Sequence, residues 1–209
     1  MNPRELAALG PVIPVIVIDR LADAVPLAEA LVAGGVRVLE ITLRTPAGLP
    51  AIAAIAKAVP QAVVGAGTVR SAADAGAARD AGAVFAVSPG YTTTLGAACR
   101  EIGLPLLPGV ATASEVMAAQ DDGLDFLKFF PAVPAGGLPM LKSWAGPFPD
   151  VAFCPTGGLT PANAPDFLAL PNVLVCGGSW LTPADALARG DWASVTRLAE
   201  QAAGLRAKR

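Results

Sequence analysis

Residues 36–46 have the sequence VRVLEITLRTP, in which polar side chains occupy every second position at the end of an apolar run. Because successive side chains of a strand point to opposite faces, we expect Glu40, Thr42 and Arg44 on one face and the apolar residues on the other. A parallel strand covered by helices is normally apolar on both faces. The polar face therefore indicates the C-terminal half of a barrel strand that points into the barrel mouth.

The rest of the chain repeats this strand and helix unit. Short runs rich in Val, Ile and Leu alternate with longer Ala-rich segments typical of amphipathic helices. We predict eight strands, near Val12–Ile18, Val36–Leu43, Ala62–Gly67, Val84–Ser88, Leu104–Leu107, Phe126–Phe129, Val151–Cys154 and Val173–Cys176. Eight such units predict an α/β fold, a single (β/α)8 TIM barrel over residues 1–209. An open, doubly wound sheet is the alternative.

Helices are also predicted at the two ends of the chain. A short N-terminal helix at about Pro3 to Leu9 would close the barrel bottom, and the last helix would run from about Asp191 to Ala207. The basic end of the chain favours a helix C-terminus and comprises Arg206, Lys208 and Arg209.

Helix starts are marked by capping residues. Thr112 with Glu115 is typical of a capping box. A threonine before a proline supplies a capping hydroxyl and predicts three further helix starts, at Thr45, Thr160 and Thr182.

Composition excludes several function classes. The chain is 54% apolar and 15% charged, with a net charge of −2, so it can form a large core but offers no basic field to nucleic acid. The low charge suggests self-association. With no histidine, the chain cannot use Ser-His-Asp or Cys-His machinery or a His-ligated metal. Acid–base chemistry must come from a carboxylate, a lysine, the single tyrosine or water.

Cysteine usage and hydropathy predict a cytoplasmic protein. Cys99, Cys154 and Cys176 are widely spaced and form no CxxC motif, which favours buried free thiols in a reducing compartment. The apolar run at residues 10–18 is interrupted by prolines and is followed by Asp19, so we interpret it as a buried strand and not as a signal peptide. We predict no membrane-spanning segment.

Lys128 lies inside a predicted strand, residues 125–131, with the sequence DFLKFFP. Alternation places Phe126, Lys128 and Phe130 on one face. Burying a charged lysine is unfavourable, which favours the neutral amine that attacks a ketone to form a Schiff base. Glu40 would supply acid–base chemistry, and Arg44 would clamp a carboxylate. The alternatives are a snorkelling or ion-paired structural lysine and a structural Glu40–Arg44 pair.

Glycine-containing turns follow several predicted strands and line the same rim. Two of them, Gly157-Gly158 and Gly177-Gly178, come after the seventh and eighth strands. Many barrels bind phosphate there, through backbone N–H groups and a helix N-terminus.

Five segments together resemble the 2-keto-3-deoxy-6-phosphogluconate (KDPG) aldolases, a family that also includes enzymes acting on 4-hydroxy-2-oxoglutarate (KHG). The resemblance runs from about Pro11 to the last helix, and the Lys-Phe-Phe-Pro and Glu-x-Thr-x-Arg strands are its specific parts. The segments are LEITLRT (39–45), VGAGTV (64–69), FLKFFPA (126–132), FCPTGG (153–158) and GGSWL (177–181).

The resemblance implies a homotrimeric class I aldolase that needs no metal and no cofactor, with Lys128 as the Schiff-base lysine and Glu40 as the proton-transfer group. Arg44 and Thr68, with Pro89 close by, would hold the substrate carboxylate. Phe130 would pack against the imine, and Thr156 would contact substrate hydroxyls. The phosphate would be bound by Gly157, Gly158, Gly178 and Ser179.

The expected reaction is cleavage of KDPG to pyruvate and glyceraldehyde 3-phosphate, with cleavage of KHG to pyruvate and glyoxylate as a further activity. Three alternatives remain: an aldolase for the galactonate epimer, a sugar-phosphate isomerase or epimerase, and a non-catalytic sugar-phosphate-binding barrel. Arg44 after Thr42 favours the gluconate type, as the resemblance suggests. An isomerase usually needs a histidine or a metal, and a binding barrel gives no reason for a lysine in a strand.

Overall fold

The computed structural model describes residues 3–205. The predicted basic end, Arg206, Lys208 and Arg209, lies outside these residues. The α-helices are α1 (Pro3–Ala8), α2 (Ala24–Ala33), α3 (Gly48–Ala58), α4 (Ala72–Asp80), α5 (Thr93–Glu101), α6 (Ala113–Asp121), α7 (Gly137–Trp144), α8 (Ala164–Leu168), α9 (Ala184–Arg189) and α10 (Trp192–Ala203). The strands are β1 (Val12–Ile16), β2 (Val38–Thr42), β3 (Val63–Gly67), β4 (Ala86–Val87), β5 (Leu106–Leu107), β6 (Gly109–Val110), β7 (Phe126–Phe129), β8 (Ala152–Pro155) and β9 (Cys176–Gly178).

The strands form a curled parallel sheet in an α/β fold. Six strands pair in the order β5-β4-β3-β2-β1-β9, and three pair in the order β6-β7-β8. Two isolated parallel bridges, Phe153 with Val173 and Thr156 with Gly177, connect the chain around β8 with that around β9. Strands β5 and β6 are separated only by Pro108, which has no N–H group to donate.

Each predicted strand contains parallel pairing in the structure, but several boundaries differ. The fifth predicted strand continues past Leu107 and is divided by Pro108 into β5 and β6. The segment Val84–Ser88 contributes only the two-residue strand β4. Strand β9 begins at Cys176, where the predicted strand ends. The positions of strands were therefore readable from apolar runs, whereas their ends depend on pairing with neighbours.

The helix starts agree with the sequence prediction in part. The capping box of Thr112 and Glu115 is confirmed at the start of α6. Thr45 and Thr182 are not caps, because α3 and α9 start after Ala47 and Pro183 and both hydroxyls donate to carbonyls instead. Thr160 is not the N-cap of α8 either, since that position is Asn163, although the Thr160 hydroxyl accepts a hydrogen bond from the Asn163 N–H in the turn before the helix.

Helices lie near both ends of the described chain, α1 and α10. Helix α1 is present as predicted, and Arg4 donates hydrogen bonds to the backbone carbonyls of Asp125 and Asp150. The last helix ends at Ala203 with Gly204 as its C-cap, so the predicted extension to residue 207 is wrong over its described part.

A separate cluster of buried side chains lies between the strands, closed by Leu6 of α1. Phe126 belongs to this inner cluster, whereas Leu127 and Phe129 pack with Leu141 and other residues of the helical layer. The alternation predicted for residues 126–129 is therefore correct. The inner cluster comprises Leu6, Ile13, Val38, Phe85, Val87, Leu107, Phe126, Ala152, Cys154 and Val175.

Candidate active site

Lys128 and Glu40 form a buried ion pair on the inner face of the strands. The Lys128 Nζ lies 3.3 Å from the Glu40 Oε1, and the two side chains are 4% and 3% exposed. Lys128 is opposite Gly109 in β6 and Cys154 in β8, and Glu40 is opposite Val15 in β1 and Gly65 in β3. The strands thus bring together two residues that are 88 positions apart. Such a pair loses hydration, which its mutual attraction must offset.

The immediate surroundings of the pair are apolar or uncharged. The Lys128 Nζ lies 5.1 Å from the centroid of the Phe130 ring, where a cation–π interaction favours an ammonium group. A methyl group at Gly67 would lie 2.4 Å from the Glu40 Oε1, so only glycine leaves room for this carboxylate. Burial raises the pKa of the Cys154 thiol to about 12, although the Lys128 charge partly opposes that shift. Cys154 is therefore a neutral neighbour at pH 7.

Arg44 is held at the rim by Thr68. The Arg44 Nε donates a 3.0 Å hydrogen bond to the Thr68 Oγ1. Thr68 has a φ of 61°, in the left-handed region that β-branched residues rarely adopt. This conformation costs on the order of 1–3 kcal/mol and points to a functional constraint. No ion pair within residues 3–205 joins Arg44 to Glu40, so the structural Glu40–Arg44 pair considered from the sequence is absent.

A pocket of about 120 Å³ opens above Lys128. It brings together eight of the residues selected from the sequence. Glu40 and Thr68 do not line the pocket themselves. Each is hydrogen-bonded to a residue that does, Glu40 to Lys128 and Thr68 to Arg44. Its lining consists of Val15, Arg44, Lys128, Phe130, Thr156, Gly157, Gly158, Leu159, Gly177, Gly178 and Ser179.

The sequence analysis did not identify Val15 or Leu159, and it named Gly177 only as part of the second glycine pair. Gly177 belongs to the second glycine pair, and a methyl group there would lie 2.1 Å from the Thr156 Oγ1, so its importance was readable from the pair itself. Val15 and Leu159 are ordinary apolar residues with no distinguishing pattern in the sequence. The position of Val15 in the site becomes apparent only from the pairing of β1 with β2, which places it beside Glu40.

The first glycine pair lines the pocket with backbone in the left-handed region. Gly157 and Gly158 have φ values of 102° and 78°, which favour glycine strongly. The Gly158 N–H donates no hydrogen bond within residues 3–205, and Gly157 directly follows the parallel bridge of Thr156 with Gly177. Unpaired N–H groups of consecutive residues form a concavity that binds anions. The expected helix N-terminus does not contribute, because α8 and α9 are short and begin only at Ala164 and Ala184.

The second glycine pair permits a close approach of Trp180, since a methyl group at Gly178 would lie 1.8 Å from that ring.

Pro89, like Glu40 and Thr68, is a predicted site residue that does not line the pocket. Its carbonyl packs on Gly109, the partner of Lys128, where a methyl group would lie 2.3 Å from the Pro89 O. The buried Ser88 Oγ donates a 2.7 Å hydrogen bond to the Gly90 O and fixes this turn.

Clusters of metal-ligating side chains and long apolar helices are both absent from residues 3–205. In the described part of the chain, no group of three or more His, Cys, Asp or Glu side chains could hold a metal ion. None of the helices in residues 3–205 has the length and hydropathy that a membrane-spanning helix requires.

The family model of the KDPG and KHG aldolases matches residues 4–198. This chain belongs to that family. It is 56% identical over 201 residues to the KHG/KDPG aldolase of Escherichia coli K12, which covers 96% of this chain and 94% of the relative. It is 51% identical over 202 residues to the 2-dehydro-3-deoxy-phosphogluconate aldolase of Pseudoalteromonas atlantica, covering 97% of this chain and 94% of that relative.

Solved structures of the family agree with this fold. The KDPG aldolase of Legionella pneumophila, with pyruvate captured as a covalent carbinolamine intermediate, gives a TM-score of 0.95 at 47% identity, over 97% of this chain and 98% of that one. The Zymomonas mobilis enzyme with 3-phosphoglycerate gives a TM-score of 0.92 at 52% identity, over 98% and 96%.

Removing one partner of the buried ion pair is expected to destabilise the fold. Lys128→Met leaves the Glu40 carboxylate buried without its partner, which should lower the free energy of unfolding by about 3–5 kcal/mol. Adding Glu40→Gln should restore most of that loss because no unpaired charge remains. Urea unfolding measures both values, with Arg44→Gln, at an exposed side chain, as the control. A Lys128→Met variant as stable as the parent would contradict the prediction.

Proposed function

We propose that this protein is a class I aldolase that cleaves KDPG to pyruvate and glyceraldehyde 3-phosphate through a Schiff base on Lys128. The observation that carries this proposal is the buried Lys128–Glu40 pair, 3.3 Å apart, beneath a pocket that also contains Arg44 and the glycine loops. Membership of the KDPG and KHG aldolase family supports it. A pyruvate carbinolamine in the Legionella pneumophila relative supports a covalent route.

The first half of the proposed reaction builds the Schiff base. Transfer of a proton from the Lys128 Nζ to Glu40 leaves a neutral amine, which attacks the C2 ketone of the substrate. Glu40, directly or through water, then returns a proton to the carbinolamine hydroxyl, which leaves as water. The product is a cationic imine beneath the Phe130 ring.

The second half breaks the carbon–carbon bond. Glu40 accepts the proton of the C4 hydroxyl while the C3–C4 electron pair moves into the imine, and glyceraldehyde 3-phosphate leaves. The resulting enamine is protonated at C3 and hydrolysed, which releases pyruvate and the free lysine. The imine is the electron sink, so the reaction needs no histidine.

Three groups of residues would orient the substrate. Arg44, held by Thr68, would bind the carboxylate through its remaining N–H donors, with the Pro89 turn close by. Thr156 would contact the substrate hydroxyls. The N–H groups of Gly157 and Gly158, together with Gly178 and Ser179, would bind the phosphate.

Borohydride trapping tests the covalent step directly. Sodium borohydride with pyruvate should add one irreversible pyruvyl mass to the peptide that contains Lys128, because reduction fixes the imine. Lys128→Ala should abolish the adduct, whereas Lys142→Ala, at an exposed lysine, should retain it. Glu40→Gln should lower kcat by about 100-fold or more and change substrate affinity far less. Tight sugar-phosphate binding without an adduct would favour the non-catalytic barrel.

KHG is the second proposed substrate, which the name of the Escherichia coli relative supports. KHG has no phosphate, so Gly158→Ala should lower kcat/KM for KDPG by about tenfold or more and leave that for KHG little changed. The added methyl group would lie 2.7 Å from the Val133 Cβ and displace the loop, whereas at Gly146 it would meet nothing within 4 Å, which makes Gly146→Ala the matched control. An equal loss on both substrates would contradict the assignment. The kcat/KM for the galactonate epimer of KDPG, measured in the same experiment, tests which configuration at C4 the enzyme prefers.

We also propose that the curled sheet is a closed (β/α)8 barrel forming a single domain. The two bridges between the chain around β8 and β9 support closure on one side. On the other, β5 and β6 are adjacent in the chain, and β5 pairs with β4 while β6 pairs with β7. A crystal structure with an open edge at β5 would contradict this proposal.

Self-association as a homotrimer is the proposed state in solution. The low charge of the chain and four exposed large apolar side chains in residues 3–205, Leu21, Val84, Met117 and Val133, support it. Sedimentation equilibrium should give a mass near three times the 20.9 kDa of the chain. A concentration-independent monomer mass would contradict it.

The cytoplasm is the proposed compartment, and the three unpaired cysteines support that assignment.

A further inference from the structure

Two threonine hydroxyls, one on each side of Arg44 in the sequence, donate hydrogen bonds to backbone carbonyls at and just after the end of β1, and the proposed mechanism does not use them. The Thr42 Oγ1 donates a 2.9 Å hydrogen bond to the Ile16 O, and the Thr42 side chain is fully buried. The Thr45 Oγ1 donates a 2.5 Å hydrogen bond to the Ile18 O. Regular pairing of β1 with β2 ends at Ile16. At and beyond that point, side-chain hydroxyls connect the end of β2 and the turn after it to the end of β1 and the residues that follow.

Arg44 itself has little backbone support. Within residues 3–205 no backbone hydrogen bond involves Arg44, whereas the Leu43 N–H donates a 2.9 Å bond to the Gly67 O on the β3 side. The place of Arg44 on the β1 side therefore rests on Thr42 and Thr45, one on each side of it in the sequence. Its guanidinium is then aimed by the Thr68 hydroxyl.

We propose that Thr42 and Thr45 are positioning residues that fix Arg44 for binding the carboxylate of the keto acid. This inference rests on the proposed function and deepens its account of substrate recognition. A charged clamp discriminates only when it is already aimed, because a displacement of about 1 Å can lower the rate by up to about 100-fold. The two hydroxyls supply that preorganisation without touching the substrate.

Carboxylate dependence distinguishes positioning from general support of the fold. Pyruvate and its uncharged methyl ester present the same ketone to Lys128, and only pyruvate presents a carboxylate to Arg44. Thr42→Val and Thr45→Val keep the shape of the side chain and remove its donor. Each should lower the second-order rate constant of borohydride trapping with pyruvate by about tenfold, and leave that with methyl pyruvate unchanged.

Conservative and remote variants complete the experiment. Thr42→Ser and Thr45→Ser retain the donor and should keep the parent preference for pyruvate, whereas Arg44→Gln should lose it. Thr92→Val removes a capping hydroxyl at the start of α5, outside the pocket, and should change neither rate constant. Thr45 is half-buried, so Thr45→Val keeps the test decisive if the fully buried Thr42→Val variant does not fold.

The outcomes separate this inference from the proposed function. Absence of an adduct in the parent protein overturns both. An adduct whose carboxylate preference falls in Arg44→Gln but not in either valine variant overturns the positioning role and leaves the aldolase assignment standing. Equal losses with pyruvate and its methyl ester in the valine variants also overturn it, because a general weakening of the site would act on both ketones.

Discussion

The buried ion pair of Lys128 and Glu40 is the constraint on which the rest of the site depends. Two charges that leave water lose hydration, which their mutual attraction offsets only in close and well-aligned geometry. The structure supplies a separation of 3.3 Å, an aromatic ring near the lysine and a residue without a side chain beside the carboxylate. The pair thus connects stability to chemistry, since the same closeness that offsets lost hydration allows a proton to pass between the two groups.

Glycines around that pair allow other groups to approach closely. Gly67 admits the Glu40 carboxylate, Gly109 admits the Pro89 turn, and Gly177 admits the Thr156 hydroxyl. Each lies at or near the C-terminal end of a strand, where parallel strands converge and functional side chains of barrel enzymes gather. The apolar cluster below, closed by Leu6, fixes the strands so that these contacts stay short.

Sequence reasoning reached the strands, the alternation of their faces and most of the pocket, because an isolated lysine and a run of alternating polar residues conflict with a uniformly buried strand. It missed Val15 and Leu159, since an apolar side chain shows no sign in the sequence of whether it faces a core or a substrate. It misplaced the caps at Thr45 and Thr182, because a threonine before a proline has the same sequence whether its hydroxyl caps a helix or donates to a nearby backbone carbonyl. The division of the fifth strand at Pro108 depends on partners that only the folded sheet provides.

In the proposed phosphate site, Gly157 and Gly158 would attract the anion through peptide dipoles and not through a charged side chain. Peptide dipoles carry no titratable proton, so their attraction for an anion stays constant wherever the chain remains folded. Changes in the strength of that attraction with acidity would then originate in the anion, whose second ionisation lies near pH 6 for a phosphate monoester. Altering the backbone part of such a site requires a different main-chain conformation, because no charged side chain supplies that part of the attraction.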